Sequence, residues 1–220
     1  MSPPLANSAA ARDIANVLHP YTDLQTQVGN WLARTDLNPF IPDMITLFEA
    51  AAARRLKVRP METTTSLTPS GGSVALPSDY LGHRSLTWTG DPSQELDYVH
   101  PAIFNSEYLP DENGAILGIP VIYTIQGGTI TIKPSDDTPL TFDYFQKNPA
   151  LSASLNWLYT NYPDVYLFGT LCEANFFNKG SALPLAAMWK QRRDEAFNEI
   201  QMVDFNERQG MAIRVFGITP

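Results

Sequence analysis

The stretch NYPDVYLFGTLCEANFFNKGSALPLAAMWKQRRDEAFNEIQ, residues 161 to 201, spells two helices joined by a short break. Tyr162, Pro163 and Asp164 lead into a helix on which Val165, Phe168, Leu171, Cys172 and Phe176 recur three or four apart, giving one broad apolar face. Asn178, Lys179, Gly180 and Ser181 stop it. The second helix repeats the period with Leu185, Met188, Trp189, Ala196, Ile200 and Val203, while Lys190, Arg193, Asp194 and Glu195 lie mostly on the opposite side. A helical hairpin is the expected local structure.

Upstream, Thr22 and Gln25 have the spacing of a capping box, and Leu24, Val28, Trp31 and Leu32 define the face of a helix ending near Thr35. Pro42 suits the first turn of a second helix with the stripe Ile45, Phe48, Ala52 and Leu56. From Met61 the pattern becomes β-branched and alternating. Glu62 to Thr68 and Ser73 to Leu76 flank Pro69-Ser70-Gly71-Gly72 and read as a hairpin. Arg84 to Thr89 and Glu95 to Val99 flank Gly90-Asp91-Pro92, and Val121 to Ile125 and Thr129 to Lys133 flank Gln126-Gly127-Gly128, each pair predicting antiparallel strands. Leu140 to Gln146 adds a last strand, with Leu140, Phe142 and Tyr144 on one face and Thr141, Asp143 and Phe145 on the other. Pro101 to Tyr108 has the length of one short helical turn, and Leu109 to Gly118 is a polar loop.

The order helices, sheet, helices predicts an α+β fold. A helical bundle formed by the N- and C-terminal helices carries an inserted antiparallel β-sandwich or barrel-like sheet. The expected organisation is a flexible arm over 1–20, a helical domain from 21–60 and 150–208, the β-rich insertion over 61–149, and an extended tail over 209–220.

Composition narrows the function. The chain has 220 residues, 44% of them apolar and 17% charged, which suits a packed core. A formal charge of -8 argues against a protein that neutralises phosphates, and an acidic surface lets DNA pass without sticking. The single cysteine, Cys172, excludes an intrachain disulfide, and no run is long enough to span a bilayer as a helix.

Chemistry is not announced. His19, His83 and His100 are far apart, no Gly-x-Ser-x-Gly elbow occurs, and no Cys/His spacing suggests zinc, so neither catalytic residues, nor a metal, nor a cofactor are expected. Asp136 with Asp137, or Asp111 with Glu112, are the carboxylate pairs a glycosidase would use, yet side chains adjacent on a strand point to opposite faces, and Asp beside Pro and Ser is favoured in turns. The aromatic residues of the β-rich part, including Tyr80, Trp88, Tyr98, Phe104, Tyr108, Tyr123, Phe142, Tyr144 and Phe145, suit a sandwich core, with an exposed platform for sugars as the functional alternative.

Two features point to partners. Arg54, Arg55 and Lys57 crowd the end of the second helix, where the helix dipole favours cations; contact with an acidic neighbour in a ring is the other reading. The tail carries Met211, Ile213, Val215, Phe216 and Ile218 with little polar relief, so it either packs back onto its own fold or captures a partner as an extended strap.

Pro163-Asp164-x-Tyr166-Leu167-x-x-x-Leu171-x-Glu173-Ala174, followed by the Trp189-Lys190-Gln191-Arg192 helix, resembles the tailed-phage head-to-tail adaptor proteins. Asp23 to Val28 with Trp31-Leu32 is similar to that family's opening helix, as are Arg59 to Thr65, Gly71 to Pro77, Asp79-Tyr80-Leu81, Arg84-Ser85-Leu86 and Pro120 to Pro134 to its sheet. The resemblance implies a structural, non-enzymatic virion protein assembled in the host cytoplasm and placed at the head-tail junction. It implies a homo-oligomeric ring of twelve copies beneath the portal, offering a platform to tail or nozzle proteins. DNA would pass through its channel without sequence-specific binding, and no membrane would be involved. Arg54, Arg55, Arg192 and Arg193 are the candidate ring contacts, and Met211, Ile213, Val215, Phe216 and Ile218 the candidate portal-binding residues. A carbohydrate-binding tail accessory module is the alternative, with a carboxylate glycoside hydrolase behind it.

Overall fold

Helix α1, Pro20–Leu32, opens on a proline, whose missing N–H leaves no bond unmade in a first turn. It therefore starts two residues before the expected capping box, and the Thr22 carbonyl instead accepts a bond from Thr26 Oγ1 at 2.9 Å. It also ends earlier than Thr35. Ala33 takes a left-handed φ of 51°, its N–H still reaching Gly29 O, and Thr35–Phe40 form a tight 3-10 turn. Helix α2, Ile41–Arg55, carries Pro42 in its first turn and buries Ile41, Met44, Ile45, Phe48 and Ala52, with Leu56 buried just beyond.

The computed structural model describes residues 20–107, 118–175 and 185–209. The predicted arm up to residue 19, most of the loop after Glu107, the break after Asn175 and the tail from Gly210 lie outside the described residues. The chain divides into two compact units, Met1–Val58 with Asn148–Pro220 and Arg59–Lys147.

Among the described residues the second unit holds eight strands in two four-stranded sheets. The strands are β1 Glu62–Leu67, β2 Ser73–Ala75, β3 Tyr80–Trp88, β4 Gln94–Glu95, β5 Asp97–Tyr98, β6 Ile122–Gln126, β7 Thr129–Lys133 and β8 Leu140–Gln146, with helix α3, Pro101–Glu107, between β5 and β6. One sheet runs β1-β8-β3-β4 and the other β2-β7-β6-β5. The facing side chains Leu86, Trp88, Leu140, Phe142 and Tyr144 of the first meet Tyr123, Ile130 and Ile132 of the second in one buried cluster with Leu96. This is a sandwich, not a closed barrel.

Two pairings depart from the sequence reading. β1 and β2 do not form a hairpin: β1 pairs with β8 and β2 with β7, and only Ser70 and Ser73 bridge the turn. The turn residues were right and the destination was wrong. Gly71 and Gly72, at φ 60° and 74°, turn the chain out of one sheet into the other, and Gly72 lies so close to Ser135 that a Cβ would meet its backbone at 2.9 Å. The expected strand Glu95 to Val99 is cut at buried Leu96, where its first part pairs with β3 and Asp97–Tyr98 joins β6 in parallel. Phe145, on the face of β8 opposite Leu140, Phe142 and Tyr144, is buried too, with the Arg84 guanidinium 5.6 Å over its ring. The β6–β7 hairpin is as read: Gln126 faces Thr129 across Gly127 and Gly128, both left-handed as a two-residue turn requires.

The chain returns to the first unit through α4 Trp157–Asn161, α5 Pro163–Ala174 and α6 Ala186–Gln209. Asn156 caps α4, its Oδ1 accepting from Tyr159 N at 3.0 Å. Helix α5 is the centre of this unit, packing on α1, α2, α4 and α6. That is why Gly169 and Thr170 are buried beside the expected Val165, Leu171 and Cys172, while Phe168 is half-buried and meets Trp31 edge-on. On α6, Trp189, Ala196 and Ile200 are buried as expected. Leu185, Met188 and Val203 are exposed instead, and Phe197 takes the place in the core that the periodicity assigned to them.

Candidate functional site

The candidate ring arginines fall into two groups. Arg55 at the end of α2 and Arg193 on α6 converge on one carboxylate: Arg55 Nη1 donates to Asp194 Oδ1 at 2.6 Å, and Arg193 donates to the same oxygen from Nη2 at 3.0 Å. The Arg55 guanidinium also lies 4.6 Å over the Phe197 ring, and Gln201 Nε2 donates to the Arg55 carbonyl. Arg55 thus joins α2 to α6, while Arg193 holds the same carboxylate from within α6. Arg54 is exposed on the last turn of α2, and Arg192, also exposed, is 3.8 Å from Glu195 one turn along its own helix.

Asp194 is the organising residue that the sequence reading passed over. The helical period puts it on the side opposite the apolar residues, and only the approach of α2 reveals its role. Burial pushes its carboxyl upward, but the bonds from Arg55 and Arg193 outweigh this and hold it below the usual carboxylate range. A depressed folded-state pKa means that the contribution is complete above the unfolded value and is lost as pH falls through the folded one. Asp194→Asn is expected to lower stability near neutral pH by about 1 kcal/mol and to flatten the loss of stability below about pH 4. Denaturant melts across that pH range measure both.

A second polar cluster ties the returning chain to the helices. Glu49 Oε1 accepts from Leu151 N at 2.7 Å and from Tyr166 Oη at 3.2 Å, while Asn156 Nδ2 donates to Tyr166 Oη at 2.7 Å and to Pro149 O at 2.9 Å. Burial pushes the Tyr166 hydroxyl well above its ordinary value, so it stays neutral and can both donate and accept. Every partner is satisfied within the unit, which makes the cluster a clamp rather than a reactive site.

The outer face of the β1-β8-β3 sheet carries a shallow hollow of about 200 Å3 lined by Glu62, Thr63, Thr64, Arg84, Ser85 and Asp143. Asp143 Oδ1 accepts from Thr64 Oγ1 and Oδ2 accepts from Ser85 Oγ at 2.7 Å. Arg84 Nε lies 3.3 Å from Glu62 at the rim.

The residues weighed for catalysis are apart. His83 stacks on Tyr98 at 4.5 Å, and His100 Nδ1 accepts from Ala102 N at the start of α3. Asp136 Oδ1 accepts from Thr138 N at 2.6 Å and from Trp88 Nε1 at 3.0 Å, bonds that hold its carboxyl below the usual range, and Asp137 accepts from Gly72 N. Both carboxylates build turns. Asp111 and Glu112 lie outside the described residues, as does His19. Cys172 is buried, which pushes its thiol up. Among the described residues no group of three or more His, Cys, Asp or Glu is placed to hold a metal, and no helix is long and apolar enough to cross a membrane.

A sugar platform needs several coplanar, solvent-facing rings. Trp88, Phe104, Tyr123, Phe142, Tyr144 and Phe145 are instead buried, and of the aromatics described in this unit Tyr98 is the most open, at 44%. Their packing explains the composition of the β-rich part.

The candidate portal residues Met211, Ile213, Val215, Phe216 and Ile218 lie outside the described residues. What the described part shows is where the tail starts: α6 passes its last buried residue, Ile200, and runs on to Gln209 with Met202, Val203 and Phe205 exposed at 59%, 44% and 53%.

No curated protein matches the chain. The family model described as SU10 adaptor protein matches residues 20–215, from the first turn of α1, through both sheets and α6, into the tail. With helices before and after a two-sheet sandwich and a match across nearly its whole length, the chain belongs to the SU10 adaptor protein family of phage head-to-tail adaptors.

Proposed function

We propose that this chain forms a ring beneath the portal of a tailed phage, connecting capsid to tail and leaving a channel for DNA. The family gives it a structural role in the virion; the ring, its twelve copies, the portal contact, DNA passage and assembly in the host cytoplasm are the finer proposal. The single observation that carries it is the family match over residues 20–215. A net charge of -8 supports passage over retention, because phosphates are repelled rather than neutralised.

Within the ring, the helical unit carries the contacts between neighbours. Met188, Met202, Val203 and Phe205 on α6, with Trp31 and Leu47 on α1 and α2, leave apolar area exposed that a neighbour would cover. Exposed Arg54 and Arg192 belong to the rim of such a contact, where charges set register more than affinity. The tail residues Met211, Ile213, Val215, Phe216 and Ile218 hook onto the portal, each buried anchor being worth about 1.5 to 3 kcal/mol before ordering is subtracted.

Electron microscopy of purified portal mixed with this protein is expected to show stacked rings; portal rings without added density would overturn the reading. Deleting Gln209 to Pro220 is expected to abolish cosedimentation with portal, and Phe216→Asp to weaken it. Undiminished cosedimentation of the deletion would remove the tail from the portal contact.

A further inference from the structure

Strand β1 is the outermost of its sheet, with β8 as its neighbour on one side and no strand on the other among the described residues. An edge of this kind leaves alternate N–H and C=O groups aimed sideways, a template for another strand. Proteins commonly blunt such edges with Lys, Pro or a bulge. β1 reads ETTTSL and has none of these, the register shifts of its sheet lying in β3.

The two faces of β1 ask for different things. Thr63, Thr65 and Leu67 stand opposite Tyr144, Phe142 and Leu140 and continue the core face, whereas Glu62, Thr64 and Ser66 share the outer face with Asp143. Each hydroxyl that faces Asp143 has spent its one proton on that carboxylate, Thr64 on Oδ1 and Ser85 on Oδ2. The oxygens around the carboxylate can therefore only accept. Arg84 pairs with Glu62 at the rim, and the three charged residues of the lining, Glu62, Arg84 and Asp143, carry a formal sum of -1. The complement is a donor-rich cation on an extended chain.

We propose that this edge and hollow seat the carboxyl strand of a second copy, Met211 to Phe216, with Arg214 in the hollow. The segment has six residues, as β1 does, and begins two positions after Gln209, where α6 ends. It alternates so that Met211, Ile213 and Val215 continue the apolar row of Thr63, Thr65 and Leu67. Ala212, Arg214 and Phe216 then lie on the row of Thr64, and a single register satisfies both faces. Arg214 is the only charged residue of the segment. The inference rests on the reading that the tail leaves its own subunit, and gives it a seat before the portal offers another. An open edge and an apolar strap are each aggregation hazards, and pairing one with the other hides both.

In the antiparallel register that sets Arg214 beside Thr64, Ala212 lies beside Ser66, so the test mixes two full-length chains, one with Ser66→Cys and one with Ala212→Cys, under mild oxidation, against Thr89→Cys with Ala212→Cys as the exposed control. The heterodisulfide at position 66 is expected to form at least about tenfold faster than at position 89, as an intramolecular-like encounter does. Equal rates overturn the proposal. In sedimentation equilibrium, Arg214→Glu and Asp143→Asn are each expected to weaken self-association about tenfold, since a paired charge is lost or reversed; native self-association of Arg214→Glu overturns it. Cosedimentation with portal reads the other seat and is expected to be unchanged in Asp143→Asn, so failure of the portal hook and failure of this seat appear in different assays. Loss of portal binding in Asp143→Asn would make the edge a portal contact and overturn the assignment to a second copy.

Discussion

Gly169→Leu is expected to destabilise the helical unit by more than about 3 kcal/mol, the upper end for forcing volume into a packed core. Gly169 lies in the middle of α5 where α2 crosses it, and a Cβ built there would meet the Phe48 ring at 2.1 to 2.2 Å. The ring has nowhere to go. Phe48 is 1% exposed, meets Tyr166 edge-on at 5.0 Å and lies 6.3 Å from Phe197. Glycine inside a helix gives up about 1 kcal/mol relative to alanine, so the close backbone approach must return more than that. Denaturant unfolding measures the loss, and Phe48→Ala supplies the control. If the two side chains collide as described, Gly169→Leu combined with Phe48→Ala is less destabilised than the sum of the single changes. A Gly169→Leu chain as stable as the native one would mean that α2 and α5 do not approach this closely.

Phe142→Ala is expected to remove about 3 to 5 kcal/mol from the sheet unit, as for other large-to-small changes at fully buried aromatics. β8 is flanked by β1 and β3, and the Phe142 ring is fully buried between Tyr80 at 6.0 Å and Tyr144 at 5.2 Å. Truncation leaves a cavity that neither sheet can close without moving the other. Amide exchange in β8 and β3 reads the effect directly, and Phe142→Leu, which keeps most of the volume, is expected to lose about 1 kcal/mol. Protection in β8 that survives Phe142→Ala unchanged would remove the ring from the centre of the sandwich core.

The adaptor assignment was legible in the order of pieces along the chain, because the segments Asp23 to Leu32, Arg59 to Leu86, Pro120 to Pro134 and Pro163 to Arg192 all fall inside the family match. The candidate contacts were harder to read. Arg54, Arg55, Arg192 and Arg193 look alike in sequence, yet Arg55 reaches Asp194 from a helix far away along the chain while Arg193 bonds it as its neighbour, and only the approach of α2 reveals that convergence. The hollow around Asp143 left no trace either. Thr64 and Ser85 come to it from two strands on opposite sides of β8, so no spacing along the chain announces it.

Residues close in sequence determined the elements by themselves: Pro42 and Pro163 at helix starts, the Gly127-Gly128 turn, the period-two alternation of β8, and Cys172 on an inward helix face. Each of these depends on φ preferences or on the period of a single element, which travel with the residues. Which strands pair was decided only by the folded whole. The turn at Gly71 and Gly72 serves a hairpin or a corner equally well, and burial of Leu96 against both sheets, not any local preference, splits one predicted strand into two. The same holds for α6, where Leu185, Met188 and Val203 fit the helical period but are left exposed, while Trp189, Ala196, Phe197 and Ile200 are buried. Periodicity says which side of an element is apolar; how far along its length that side is covered depends on the partners that arrive from elsewhere in the chain.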